Sequence, residues 1–184
     1  MKEYIKISNA KAYHLLNTGA LILVSSISKD KKHDVAPIAW QCPVDFEPVT
    51  KLMIACDKDH KTFSNISETR QFCISVPHIS QLNIVKNLGS CSGHTEDKIR
   101  KFNLTTTDCE TIHCIAPEDC IAYLECKVYN IIEDETGLIF GEVINAKADK
   151  HAYSGRLLSE TEAGKTIHHL GGKVFITTGD KIFQ

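Results

Sequence analysis

Seven consecutive residues, Asp57-Lys-Asp-His-Lys-Thr-Phe63, collect two lysines, a histidine and a hydroxyl where Phe63 and Ile66, three apart, begin a helical spacing. A helix start carries unpaired backbone N–H groups and the positive end of the peptide dipoles. Together with such side chains it could hold a phosphate. The candidate ligands are Lys58, His60, Lys61 and Thr62. The same pattern also fits a solvated turn in which Asp59 caps a helix over residues 61–69.

Other reactive residues are numerous but carry weaker patterns. Eight cysteines stand at 42, 56, 73, 91, 109, 114, 120 and 126. No CxxC occurs; the nearest approach to ligand spacing is Cys91-Ser-Gly-His94, so no metal site is expected. The N-terminus, MKEYIKISNAKAYHLL, has no basic stretch leading into a long apolar run and no small-residue cleavage site. A reducing cytoplasm is therefore expected, with the cysteines as free thiols. Cys42, two residues beyond Trp40, reads as a redox-active thiol or a buried structural one. His168-His169 could bind metal, line a site or sit exposed. GxSxG, HExxH and GxxxxGK[ST] are absent, as is GxGxxG after a strand.

The chain has 184 residues, a formal net charge of −2, 42% hydrophobic and 24% charged residues. That suits one domain spanning 1–184 with a real core, and it argues against disorder. Balanced charge gives no general attraction for nucleic acid or an anionic membrane, so the 58–61 cluster is a local anomaly. The longest apolar run, Ala20 to Val24, is too short to cross a bilayer.

Several elements must position these residues. The runs 20–28 and 35–40, joined by the charged turn 29–34, read as a hairpin, and Pro37 requires an edge, a bulge or a ligand in its second strand. Strands are expected at 52–56 and 71–76, the latter stopped by Pro77. Ser80 is expected to cap a helix through Leu88, and residues 96–102 form a short helix after a flexible Gly89–Gly93 connection. The strongest hairpin pairs 120–132 with 138–146, and the glycine-broken tail 171–182 reads as strand and turn. Tyr13, Leu15 and Leu16 suggest a short helix or edge segment. Serial hairpins with few helices favour an antiparallel barrel over a doubly wound sheet.

The ordered series Ile22-Leu-Val-Ser-Ser-Ile27, Asp34-Val-Ala-Pro-Ile-Ala-Trp40, Glu47-Pro48, His60-Lys-Thr-Phe-Ser-Asn-Ile66 and Phe72-Cys-Ile-Ser-Val-Pro77 resembles the flavin reductase-like, FMN-binding split-barrel family. Ser92-Gly-His-Thr-Glu-Asp-Lys98, Phe102, Leu124–Val128, Phe140-Gly-Glu-Val143, Gly171-Gly172 and Gly179 resemble its flavoredoxin branch. The resemblance spans residues 20 to 182.

The resemblance implies a mainly β fold, an FMN-binding split β-barrel with a few short helices, and a homodimer with FMN near the interface. By position, Ser25, Ser26 and the strand Ala36, Pro37, Ile38, Ala39 and Trp40 would border the flavin and ribityl chain. Lys58, His60, Lys61 and Thr62 would surround the phosphate, with Lys98 and Phe175 approaching from the loop and the tail. Trp40 equally fits a core aromatic. The implied activity is electron transfer through FMN, from NAD(P)H or a redox protein, as an oxidoreductase; the alternative is a non-catalytic carrier or flavin-sensing protein. Many two-component flavin reductases of this fold have Gly-Asp-His associated with nicotinamide, where this chain has Gly141-Glu-Val143. His60 stands where the family commonly has arginine, substituting a residue whose charge changes near neutral pH.

Overall fold

The computed structural model describes residues 19–134 and 136–179. The segment around Tyr13 and the last residues of the tail lie outside them. A seven-stranded antiparallel sheet comprises β1 (Ile22–Ile27), β2 (His33–Ile38), β3 (Gln41–Asp45), β4 (Lys51–Ala55), β5 (Gln71–Val76), β8 (Ala122–Ile132) and β9 (Leu138–Ala148), in the order β2-β1-β5-β8-β9-β4-β3. The strands β6 (Thr106–Asp108) and β7 (Ile115–Pro117) form one small hairpin, and β10 (Ile167–Gly171) and β11 (Val174–Thr177) another.

β2 and β3 lie at opposite ends of this order, yet only Ala39 and Trp40 join them. A flat sheet would hold its outer strands about 29 Å apart, whereas Ile38 to Gln41 spans roughly 10 Å. The sheet must curl, and it forms the expected barrel. Ile22, Val24, Ile38, Leu52, Ile54, Phe72, Ile74, Cys126 and Ile139 fill its interior. Gly141 belongs to this face because a Cβ there would lie 2.6 Å from the Phe72 ring.

Helix α1 (Lys61–Thr69) closes the barrel, with Phe63 and Ile66 buried in the same core. On the outer face, α2 (Leu82–Leu88) packs Val85 and Leu88 onto Leu23 and Val35. β1 is therefore covered on both sides and reads as a continuous buried run. The short helix α3 (Lys98–Lys101) is capped by the Asp97 side chain.

Three local expectations are corrected. His60 occupies the N-cap of α1, and Asp59 does not; its N–H is instead taken by Asp57 Oδ1 at 2.9 Å. A 3₁₀ turn at Ile79–Gln81 precedes α2, and His78, rather than Ser80, caps it. β3 and the β6–β7 hairpin lie in segments for which the sequence predicts no strand. Among the described residues, no helix is long and apolar enough to cross a membrane.

Candidate functional site

The N-terminus of α1, the edge strand β2 and the loop from Gly89 to Gly93 enclose a cleft of about 390 Å³. Helix geometry gives Lys61, Thr62 and Phe63 N–H groups without an intrahelical acceptor. His60 supplies no side-chain cap and the first turn holds no acidic residue. This end of α1 is thus an open donor site bearing Lys61 and His60.

Beneath it lies a buried ion pair. Lys98 Nζ is 2.9 Å from Asp34 Oδ1 and donates to the Val35 carbonyl at 2.8 Å; both side chains of the pair are about 5% exposed. Asp34 Oδ2 accepts from the Thr62 hydroxyl at 3.2 Å, locking α1 to β2. Gly93 covers this carboxylate so closely that a Cβ would lie 2.3 Å from Oδ1. The Val35 carbonyl points away from β1 to reach Lys98, so Pro37, two residues on, also directs its backbone outward. Its missing N–H costs no ladder bond, which meets the sequence expectation of an edge at Pro37.

A second hollow, of about 650 Å³, shares Pro37, Gly89 and Ser90 with the first. It runs to Ala39, His169 and Phe175, where the last two rings lie 5.0 Å apart. The result is an elongated groove, cationic at the helix end and partly aromatic at the other.

The expected residues divide accordingly. Ala36, Pro37, His60, Lys61, Thr62 and Lys98 line the cleft; Ala39 and Phe175 line the adjoining hollow. Thr62 contributes its N–H only, since its hydroxyl proton goes to Asp34. Ser25 and Ser26 are not brought to the groove: both are wholly covered, Ser26 accepting from Asn65 in the barrel, because β1 is buried on both faces. Ile38 points into the core at 8% exposure. Lys58 is exposed on the turn before α1, outside either wall, and Trp40 is 52% exposed at the β2–β3 corner, neither core nor cleft. His168 and His169 are half-buried in β10 rather than exposed. Cys42 is exposed on β3 and not a buried structural thiol.

Asp34 and the Gly89–Gly93 loop were absent from the expected ligands. The charged cluster 29–34 masked Asp34, whose partner Lys98 lies far along the chain; the adjacency of Ser92-Gly93 to that lysine was the available signal.

The Flavin reductase like domain model matches residues 15–167. The uncharacterized protein YddH of Escherichia coli is 30% identical over 187 residues, covering 99% of this chain and 98% of that protein. The solved FMN-binding domain of a flavin reductases-like enzyme from Shewanella baltica is 28% identical, with a TM-score of 0.80 over 97% of this chain and 95% of that one. Flavoredoxin of Desulfovibrio vulgaris, 20% identical, shares the fold with a TM-score of 0.83 over 100% of this chain and 97% of its own. By its split-barrel fold and the extent of these matches, the chain belongs to the flavin reductase-like domain family.

Proposed function

We propose that the groove holds FMN and that the protein passes electrons through it as an oxidoreductase. The observation that carries this reading is the open, basic first turn of α1 at one end of a groove that continues to Phe175. Residues of this kind fit the cofactor: Lys61 and the N–H groups of Lys61 and Thr62 suit a phosphate, and Pro37, Ala39 and Phe175 suit the ribityl chain and ring. Similarity to the FMN-binding domain from Shewanella baltica supports the same ligand.

When bound, the flavin supplies reversible hydride or single-electron chemistry at its ring. The chain's part is to hold and shape it. The Asp34–Lys98–Thr62 network fixes the phosphate end of the groove by tying α1 to β2, and neutralises the carboxylate that would otherwise repel an anion. Outward backbone groups of β2 offer hydrogen bonds along the groove, and the Phe175–His169 pair excludes water at its far end.

Direct use of NAD(P)H is one source of electrons; a redox-protein donor to a flavoredoxin-like carrier is the other. The second is favoured by Gly141-Glu-Val143, which lacks the histidine that the resemblance associates with nicotinamide; Val143 packs instead against the barrel core. A second copy of the chain is the proposed partner. The outward stripe Cys42, Met53, Phe140 and Tyr129 crosses four neighbouring strands and leaves apolar surface for it. Free thiols suit a cytoplasmic location.

The absorption spectrum of the purified protein tests the cofactor: flavin bands released as FMN on denaturation are expected, and a colourless protein that fails to take up FMN contradicts it. Anaerobic mixing of the FMN-loaded protein with NADH and NADPH separates the donors. Bleaching of the flavin band marks a reductase, and its absence with both marks a carrier.

A further inference from the structure

We propose that Cys73 and Cys109 are a peroxide-responsive dithiol, closing to a disulfide that staples the β6–β7 hairpin to strand β5. Neither thiol touches the groove, so the inference is independent of the flavin reading.

Three cysteines share one small apolar cluster on the outer face of the sheet. Cys73 of β5 is wholly buried there with Ile112, Cys114 and Ala116, and Cys109 packs against them. Cys109 and Cys114 oppose each other where the hairpin extends beyond the Asp108 and Ile115 pair, the Cys109 N–H donating to the Cys114 carbonyl at 2.9 Å. Opposed residues of an antiparallel pair project to the same face, so both thiols are delivered to the Cys73 side.

The connecting loop is held firmly. The Glu125 carboxylate, 3% exposed, accepts from Glu110 N–H at 2.8 Å, Thr111 N–H at 2.7 Å and the Thr111 hydroxyl at 2.6 Å. His113 N–H adds a bond to Gln71 Oε1 at 3.1 Å. Cys109 is the partly exposed member; it and the buried Cys114 line a hollow of about 700 Å³ that also presents Lys31, His33, Asp108 and His113. The neighbouring Cys109 and burial together push the Cys73 thiol far above the ordinary range, and burial lifts Cys114 to about 12. Cys109 is the most exposed of the three thiols, so peroxide meets it first. Among the described residues, no group of His, Cys, Asp and Glu side chains is arranged to hold a metal ion.

The oxidant is hydrogen peroxide. The Cys109 thiolate attacks one peroxide oxygen, the O–O bond breaks, and the departing oxygen leaves with a proton as water, giving a sulfenic acid. The Cys73 sulfur then attacks the Cys109 sulfur, the S–O bond breaks, and the hydroxyl departs with the Cys73 proton as a second water. Two electrons pass from two thiols to one peroxide.

Peroxide treatment of the reduced, purified protein, followed by alkylation and non-reducing peptide mapping, tests the pair. The expected result is a peptide linking Cys73 to Cys109, with two hydrogens lost from the chain mass and full reversal by dithiothreitol. Cys109→Ser should abolish the link, and Cys114→Ser should retain it. An oxygenated Cys109 with Cys73 still free, a Cys109–Cys114 link, no reaction, or loss of the link in Cys114→Ser would each overturn the proposal.

Discussion

Asp34 and Lys98 meet at 2.9 Å with both side chains almost completely shielded from water, and Thr62 at the start of α1 hydrogen-bonds the second carboxylate oxygen. One buried carboxylate thereby joins strand β2, helix α1 and helix α3 beneath the cleft. A buried pair of this kind is costly to break, because the surviving charge is left without compensation. Asp34→Asn should lower stability by about 3–5 kcal/mol, measured by urea unfolding. Asp34→Asn combined with Lys98→Met, which removes both charges, should recover part of that loss. A double variant as unstable as the sum of the singles would show that the two groups act independently.

Gly93 does not have a positive φ, so space rather than a left-handed backbone demands glycine. A Cβ would lie 2.3 Å from Asp34 Oδ1 and must lift the loop or push the carboxylate off Lys98. Gly93→Ala should weaken FMN binding at least tenfold in a fluorescence titration and should also lower the thermal midpoint.

Lys61 and Thr62 are neighbours with different duties. Lys61→Ala should weaken FMN binding by about tenfold to a hundredfold, the worth of one charged hydrogen bond of roughly 1.5–3 kcal/mol. Thr62→Val keeps the N–H and loses the bond to Asp34. It should cost stability of about 1–3 kcal/mol by leaving a buried carboxylate oxygen unsatisfied, with the larger effect on unfolding rather than on FMN affinity. A reversed pattern would show that the hydroxyl itself holds the phosphate.

Much of this arrangement was legible along the chain. The β1–β2 and β8–β9 hairpins and α1 follow from local apolar pattern and turn chemistry, and Pro37 foretold the edge. Asp34 was not legible because its meaning comes from Lys98, brought near only by the fold. Ser25 and Ser26 came from the resemblance by position alone, and position along the chain does not reveal that both faces of β1 are covered, one by the barrel core and the other by packing outside it. β3 escaped because Cys42, Val44 and Asp45 are all exposed and leave no alternating pattern.

Acid should loosen the loop that carries Cys109. Burial alone would raise the Glu125 carboxyl, but its bonds from Thr111, Glu110 and Asn145 outweigh that and hold it below its ordinary value of 4.5. A carboxylate depressed on folding contributes stability above its unfolded value and loses it as pH falls through the folded one. The stability difference between the native chain and Glu125→Gln should therefore be full at neutral pH and shrink progressively below pH 4.5. Unfolding curves at several pH values check this, and a constant difference would remove Glu125 as the source.

Competition between FMN and riboflavin bears most directly on the groove. The two ligands share the ring and ribityl chain and differ in the phosphate that the first turn of α1 is assigned to hold. Titration of the cofactor-free chain, followed by flavin fluorescence, should show FMN binding about a hundredfold more tightly, equivalent to roughly 2.8 kcal/mol. Lys61→Ala should shrink that ratio. Equal affinity for the two ligands, or a ratio untouched by Lys61→Ala, would contradict the assignment of the phosphate to α1.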